Sequence, residues 1–151
     1  MGLPQINIED MNVFEQSIEA LIEQSCAKIA MIADKSGYLV YEKGENPGWD
    51  TVTIATLAAN AYNATSAIVS LVNEPPCESI YQQGERYNTV TFNIDENVVL
   101  IVIFDTAGSI GAVKHFAKPS LELLAWQLSR AAERPQEDIQ MADSGFAGFS
   151  S

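Results

Sequence analysis

The sequence is poor in the groups that catalysis and metal binding draw on. It has one histidine, His115, and two cysteines, Cys26 and Cys77, in 151 residues. So few soft ligands cannot build a metal cluster, and neither cysteine sits in a CxxC pair. The two thiols read as ordinary buried or half-buried groups of a reducing compartment. His115 has no cysteine or serine partner fixed by spacing, and its reading is structural. Basic residues are scarce as well: 8 Lys and Arg stand against 20 acids, for a net charge of −12. That deficit excludes nucleic acid and anionic membranes as partners, since both would be repelled. It leaves two readings open, steering toward a basic protein surface or plain solubility.

Other absences narrow the field further. No apolar run reaches the ~18 residues that span a bilayer. The start, MGLPQINIED, lacks the basic segment and apolar stretch of a secretory signal, and Ile6 stands where a myristoylation pattern needs Ser or Thr. The expectation is a soluble, cytoplasmic protein. Thr106 to Val113, TAGSIGAV, holds two glycines but fits neither GxGxxG nor GxxxxGK[ST], so it reads as an ordinary connection. Acid pairs such as Glu15/Glu19 and Asp95/Glu96 arise by chance among 20 acids and say little about acid–base work. Arg86, at a turn after Gly84, is the most presentable arginine finger for nucleotide hydrolysis, yet a structural or rim role suits it better. No catalytic residue, metal site or cofactor is assigned.

What is present describes one globular domain. Apolar residues make up 47% and charged residues 19%, which is not a disordered composition. A chain of this length buries about two-thirds of its unfolded surface. Residues 1–9 read as a flexible lead-in. Asp10 is placed to cap a helix of ~15 residues whose apolar side is Met11, Phe14, Ile18, Leu21 and Ile22. Ala27 to Asp34 and Tyr38 to Glu42 read as strands of a hairpin about Lys35-Ser36-Gly37. Glu78 to Gln83, Tyr87 to Ile94 and Val98 to Phe104 read as three more strands. The last is apolar on both faces, as a central strand is. Ser109 or Ser120 caps a last helix, with Pro119 in its first turn and Leu121, Leu124, Ala125, Leu128 and Ala132 on its inner side. It ends near Pro135. Residues 135–151 read as a disordered tail, in which Phe146 and Phe149 form either a short docking motif or nothing more than tail. The predicted class is α/β: a five-stranded antiparallel sheet with a long central helix on one face and the terminal helices on the other, over residues 10–134.

That central helix, Asp50 to Val72, is the element around which the chain is organised. Turned at 100° per residue it has a bulky apolar side, Ile54, Leu57, Ala58, Ala61, Thr65, Ile68 and Val72, which is expected to lie on the sheet. The opposite side, Thr56, Ala59, Asn60, Asn63, Ser66, Ala67 and Ser70, has no charge and no large group. A solvated helix face normally carries Glu, Lys or Arg. Either a second helix or a partner surface lies against this side, or the helix is buried between two layers of one domain.

Element order, with Ile32-Ala33-Asp34-Lys35-Ser36-Gly37, Asp50 to Thr65, Gln83-Gly84-Glu85-Arg86 and Val102-Ile103-Phe104-Asp105 running on to Ser109-Ile110-Gly111-Ala112-Val113-Lys114, resembles the Roadblock/LC7 family, whose fold is profilin-like. Within it the likeness is to the bacterial MglB group. The resemblance implies a homodimer with paired long helices and joined third strands. It implies binding to a small Ras-like GTPase of the MglA type, two copies per GTPase, in cell polarity and motility. It also implies stimulation of GTP hydrolysis by ordering the GTPase's own switch and catalytic residues, which needs no catalytic set here. The partner surface carries over to Thr56, Ala59, Asn60, Asn63 and Ser66. Where the group tends to read Ala-Gly-Asn followed by alanines, this chain reads Ala59-Asn60-Ala61-Tyr62-Asn63, which alters how closely a partner approaches. The alternatives are a non-activating Roadblock scaffold or effector, and a small-molecule sensor domain.

Overall fold

Side-chain period and turn chemistry set the elements. A computed structural model of the protein describes residues 2–135. The chain runs α1 (Ile8–Ser25), β1 (Ile29–Asp34), β2 (Leu39–Gly44), α2 (Thr51–Leu71), β3 (Ser79–Gln83), β4 (Tyr87–Asn93), β5 (Val98–Asp105) and α3 (Ile110–Glu133). The strands form one antiparallel sheet in the order β2-β1-β5-β4-β3. β5 is central and buried on both faces, as its unbroken apolar run requires. Along it the faces alternate. Val98, Leu100, Val102 and Phe104 join Phe14, Ile18 and Leu21 of α1 and Val113, Ala117, Leu124 and Leu128 of α3. Val99, Ile101 and Ile103 join Ile29, Met31 and Ala33 of β1 under Ala55, Ala58 and Tyr62 of α2. The terminal helices therefore cover one face of the sheet and the long helix the other, as the sequence pattern predicts.

One helix start differs from the sequence reading, and another decides between two alternatives left open there. α1 begins at Ile8 with Asn7 as its cap; Asp10 is the third residue of the helix and closes a reciprocal box. Asp10 N–H donates to Asn7 Oδ1, and Asn7 N–H donates to Asp10 Oδ2, both at 2.9 Å. Asp10 is fully buried because its carboxylate has a second task. It accepts from Gln127 Nε2 at 2.6 Å and from both guanidinium nitrogens of Arg134, which joins the start of α1 to the end of α3. Burial pushes this carboxyl up, but the Arg134 fork, the Asn7 amide and Gln127 pull it further down, to about 2.

α3 starts at the earlier of the two caps the sequence offered. Ser109 is its cap, accepting from Ala112 N–H at 3.1 Å, so the connection after β5 is brief. Pro119 stands inside the helix, not in its first turn, and Ser120 is buried, donating to the carbonyl of Ser17 at 3.2 Å. Proline removes the bond to the carbonyl of His115, but both residues are exposed and water can serve that carbonyl. Burial of Val113, Ala117 and Leu124 on both sides of the proline carries the helix through it. At the sheet's far edge, Lys43 of β2 pairs with Glu15 at 3.3 Å and Glu19 at 2.6 Å, fastening that edge to α1.

Candidate interaction surface

α2 contains no charged residue in 21 positions. Asp50 caps it: Oδ1 accepts from Thr53 N–H at 3.1 Å and Oδ2 from the Thr53 hydroxyl at 2.6 Å. The hydroxyl and amide of Thr53 hold this carboxyl below the usual range. Past Leu71 the chain turns through Asn73 at φ 60° into Pro75-Pro76, which cannot continue the helix.

The side of α2 that lies on the sheet is not the bulky one. Thr51, Ala55, Ala58, Ala59 and Tyr62 are buried, spaced at i, i+4, i+7, i+8 and i+11. Ala59 is fully buried, which corrects its placement on the partner-facing side. Leu57, Ile68 and Val72, expected on the sheet, are each 61% exposed. The reason is steric. Ile29, Met31, Ile101 and Ile103 already supply bulk from the sheet, so alanines let the helix approach closely, and large residues are turned outward.

Two flanks result. On one, Thr56 and Asn63 are committed to the chain's own β1–β2 turn. The Thr56 hydroxyl donates to the Gly37 carbonyl at 2.7 Å, and Asn63 Nδ2 donates to the Lys35 carbonyl at 2.8 Å. Gly37 has φ 105°, and its Cα lies so near Thr56 that a Cβ would come within 3.2 Å of it. The Lys35 ammonium lies 5.2 Å from the Tyr62 ring centre, and burial lowers its pKa against the pull of Asp95 and Glu96. Tyr62 in turn donates its hydroxyl to the Cys77 carbonyl at 2.5 Å, and burial raises its pKa. Between the tethers Asn60 is exposed; Asn63, Ala67 and Ser70 continue that line, and Ser66 is half-buried beside it.

The other flank is an apolar stripe. Leu57, Ala61, Ala64 and Ile68 recur at i, i+4, i+7 and i+11, with Leu71 (82% exposed) and Val72 at its end. It runs on the same side of the sheet as Ile80 of β3, which is half-buried against the core beneath α2. β3 is the last strand of the sheet and pairs only with β4. An exposed apolar stripe and an open strand edge are each the usual mark of an association surface.

The other candidates fall outside this surface. Arg86 is exposed in the β3–β4 turn, and His115 is exposed on α3 with its ring against Phe116. Thr106 to Ser109 forms a tight turn before α3, with Asp105 Oδ1 accepting from Ala107 N–H at 2.9 Å. Among the described residues no three of His, Cys, Asp and Glu are grouped to hold a metal ion, and no helix is long and apolar enough to cross a membrane. Phe146 and Phe149 lie outside the described residues.

A five-stranded sheet with one long helix on one face and two terminal helices on the other is the Roadblock/LC7 fold, also shared in outline by profilins. A Roadblock/LC7 domain from Streptomyces avermitilis has a TM-score of 0.64 over 71% of this chain and 90% of that one, at 11% identity. The form of the fold is that of MglB. MglB of Myxococcus xanthus matches with a TM-score of 0.79 at 23% identity, over 86% of this chain and 98% of that chain. The gliding protein MglB from Thermus thermophilus matches with 0.78 at 24%, over 85% and 96%. No family model and no curated protein sequence matches the chain.

Proposed function

We propose that this protein is a homodimeric regulator that binds a small Ras-like GTPase of the MglA type and stimulates its GTP hydrolysis in cell polarity or motility. The observation that carries the reading is the division of α2, on an MglB-type fold, into an exposed apolar stripe and an exposed polar line. The stripe, with the β3 edge, is the dimer surface. Pairing there would bury Leu57, Ile68 and Leu71 and set two copies of the polar line side by side. Asn60 is the centre of the partner surface, with Asn63 and Ser70 exposed beside it and Thr56 and Ser66 half-buried. An uncharged polar surface suits a mode of action in which the GTPase's own catalytic groups are held in place, a population shift of its switch loops.

The test is single-turnover GTP hydrolysis by a Ras-like GTPase of the same cell, with this protein in two-fold molar excess. A rate increase that Asn60→Arg abolishes, with dimer and melting temperature intact, is the expected result. Binding to the GTP form without a rate increase would replace activation by a scaffold or effector role. No binding in either nucleotide state would remove the GTPase reading altogether.

A further inference from the structure

The chain has eight cations, and five are engaged within the fold. Lys28 reaches Asp105 at 3.6 Å and Glu45 at 3.9 Å; Lys43 and Arg134 hold the carboxylates named above. Lys35 lies over Tyr62, and Arg130 over Trp126 at 4.9 Å. Arg86, Lys114 and Lys118 make no ion pair or ring contact among the described residues. Lys114 and Lys118, one helical turn apart, line the same groove. It lies between α3 and the start of β3, has a volume of about 760 Å³, and is walled by Pro75, Pro76, Phe92 and Leu121. Glu78 and Glu122 also border it. Asn93, another lining residue, keeps its Oδ1 buried with no donor.

The chain carries a segment of fitting chemistry. Residues 136–151 hold Glu137, Asp138 and Asp143 with no base, and Ile139, Met141, Phe146 and Phe149 as apolar groups. Reach is sufficient. From Lys118 to the end of α3 is about 24 Å at 1.5 Å per residue. Phe146, eleven residues beyond Pro135, reaches up to ~36 Å, and Phe149 up to ~46 Å, in extended chain. A second groove of about 880 Å³ is nearer the helix end, lined by Leu3, Leu128, Asp95 and Glu96. Its charges are acidic only, and it would repel this segment.

We propose that the C-terminal segment folds back in cis onto the groove at α3, setting Phe146 and Phe149 against Phe92 and Leu121 and the Asp143 carboxylate, ~26 Å from Pro135 in extended chain, beside Lys118. The groove is thereby an intramolecular docking site for an acidic, phenylalanine-bearing peptide. It is separate from α2 and stands whether or not a GTPase is the partner.

Chymotrypsin cleavage after Phe146 and Phe149 in the full chain reads the undocked fraction directly. If about nine-tenths is docked, Lys114→Glu with Lys118→Glu speeds cleavage by ~10-fold, because proteolysis follows the open population. Raising salt to about 0.5 M speeds cleavage of the unaltered chain in the same direction. Arg86→Glu, the remaining unengaged cation, leaves the rate unchanged. Equal rates in all chains and salts, or acceleration by Arg86→Glu alone, would overturn the proposal. So would protection that disappears on dilution, since the segment would then come from a second copy. Amide shifts give an independent reading: Phe146→Ala with Phe149→Ala should move the signals of Phe92, Lys114 and Leu121. Changes confined to residues 136–151 would overturn the docking.

Discussion

Replacing Asp10 by asparagine keeps the shape of the side chain and removes its charge, leaving the Arg134 fork without its anion and Gln127 with a weaker acceptor. The folded-state pKa of about 2, against 3.8 for a free aspartate, measures how much the fold prefers the ionised form. That difference converts to about 2 kcal/mol at neutral pH, at 1.36 kcal/mol per pKa unit. The sign follows from the depression. The stabilisation is complete above the unfolded value and is lost as pH falls toward the folded one. It drops to roughly half by pH 3 and nearly vanishes at pH 2. Urea unfolding at fixed protein concentration tests this. The asparagine variant should lose about 1–2 M in midpoint at pH 7, taking a slope of 1–3 kcal/mol per molar, and the gap should close as the pH is lowered from 4 toward 2. A gap of the same size at pH 3 as at pH 7 would refute the reasoning, since the charge on Asp10 would then not be its source. So would no gap at pH 7.

Two further substitutions probe other parts of the fold. Ala59→Arg forces an unpaired charge against the sheet and should cost ~3–5 kcal/mol, collapsing the thermal transition; a melting temperature within 2 °C of the unaltered chain would contradict the burial of that position. Pro119→Ala restores an N–H for the His115 carbonyl within α3, so it should stabilise by roughly 2 kcal/mol after the entropy gained by the unfolded chain is deducted, raising the melting temperature by about 4–8 °C. A fall in melting temperature would mean that the proline is a favourable part of the α1–α3 contact.

Local signals carried most of the fold. The turn about Lys35-Ser36-Gly37, the strand from Tyr87, the apolar run of β5 and the span of the central helix are all short-range features, and each lies where it was read. What escaped depends on distant partners. Asp10 looks like a cap until Arg134, 124 residues away, is seen to claim it. Gly111 reads as part of the connection after β5 and Pro119 as a first-turn residue, because the burial of α3 against α1 is invisible in a local window. On α2, size was taken as the guide to burial, whereas the residues beneath it set the spacing and selected alanine. The i, i+4, i+7, i+11 row of Thr51, Ala55, Ala58 and Tyr62 was the available signal. The tethers from Thr56 and Asn63 to the β1–β2 turn, 19 and 28 residues apart in the chain, have no local signature. Of the five residues placed on the partner surface, Asn60 and Asn63 are exposed, Thr56 and Ser66 half-buried, and Ala59 is core.

The outward flank of α2 as a surface for a second copy is the claim on which the rest depends, and sedimentation equilibrium tests it most directly. The unaltered chain should sediment at about twice 16.4 kDa at micromolar concentration. Leu57→Glu with Ile68→Glu, both outward-facing, should sediment at 16.4 kDa with the circular dichroism spectrum of the fold unchanged. A single-chain mass for the unaltered protein, or a dimer that survives both charges, would contradict it.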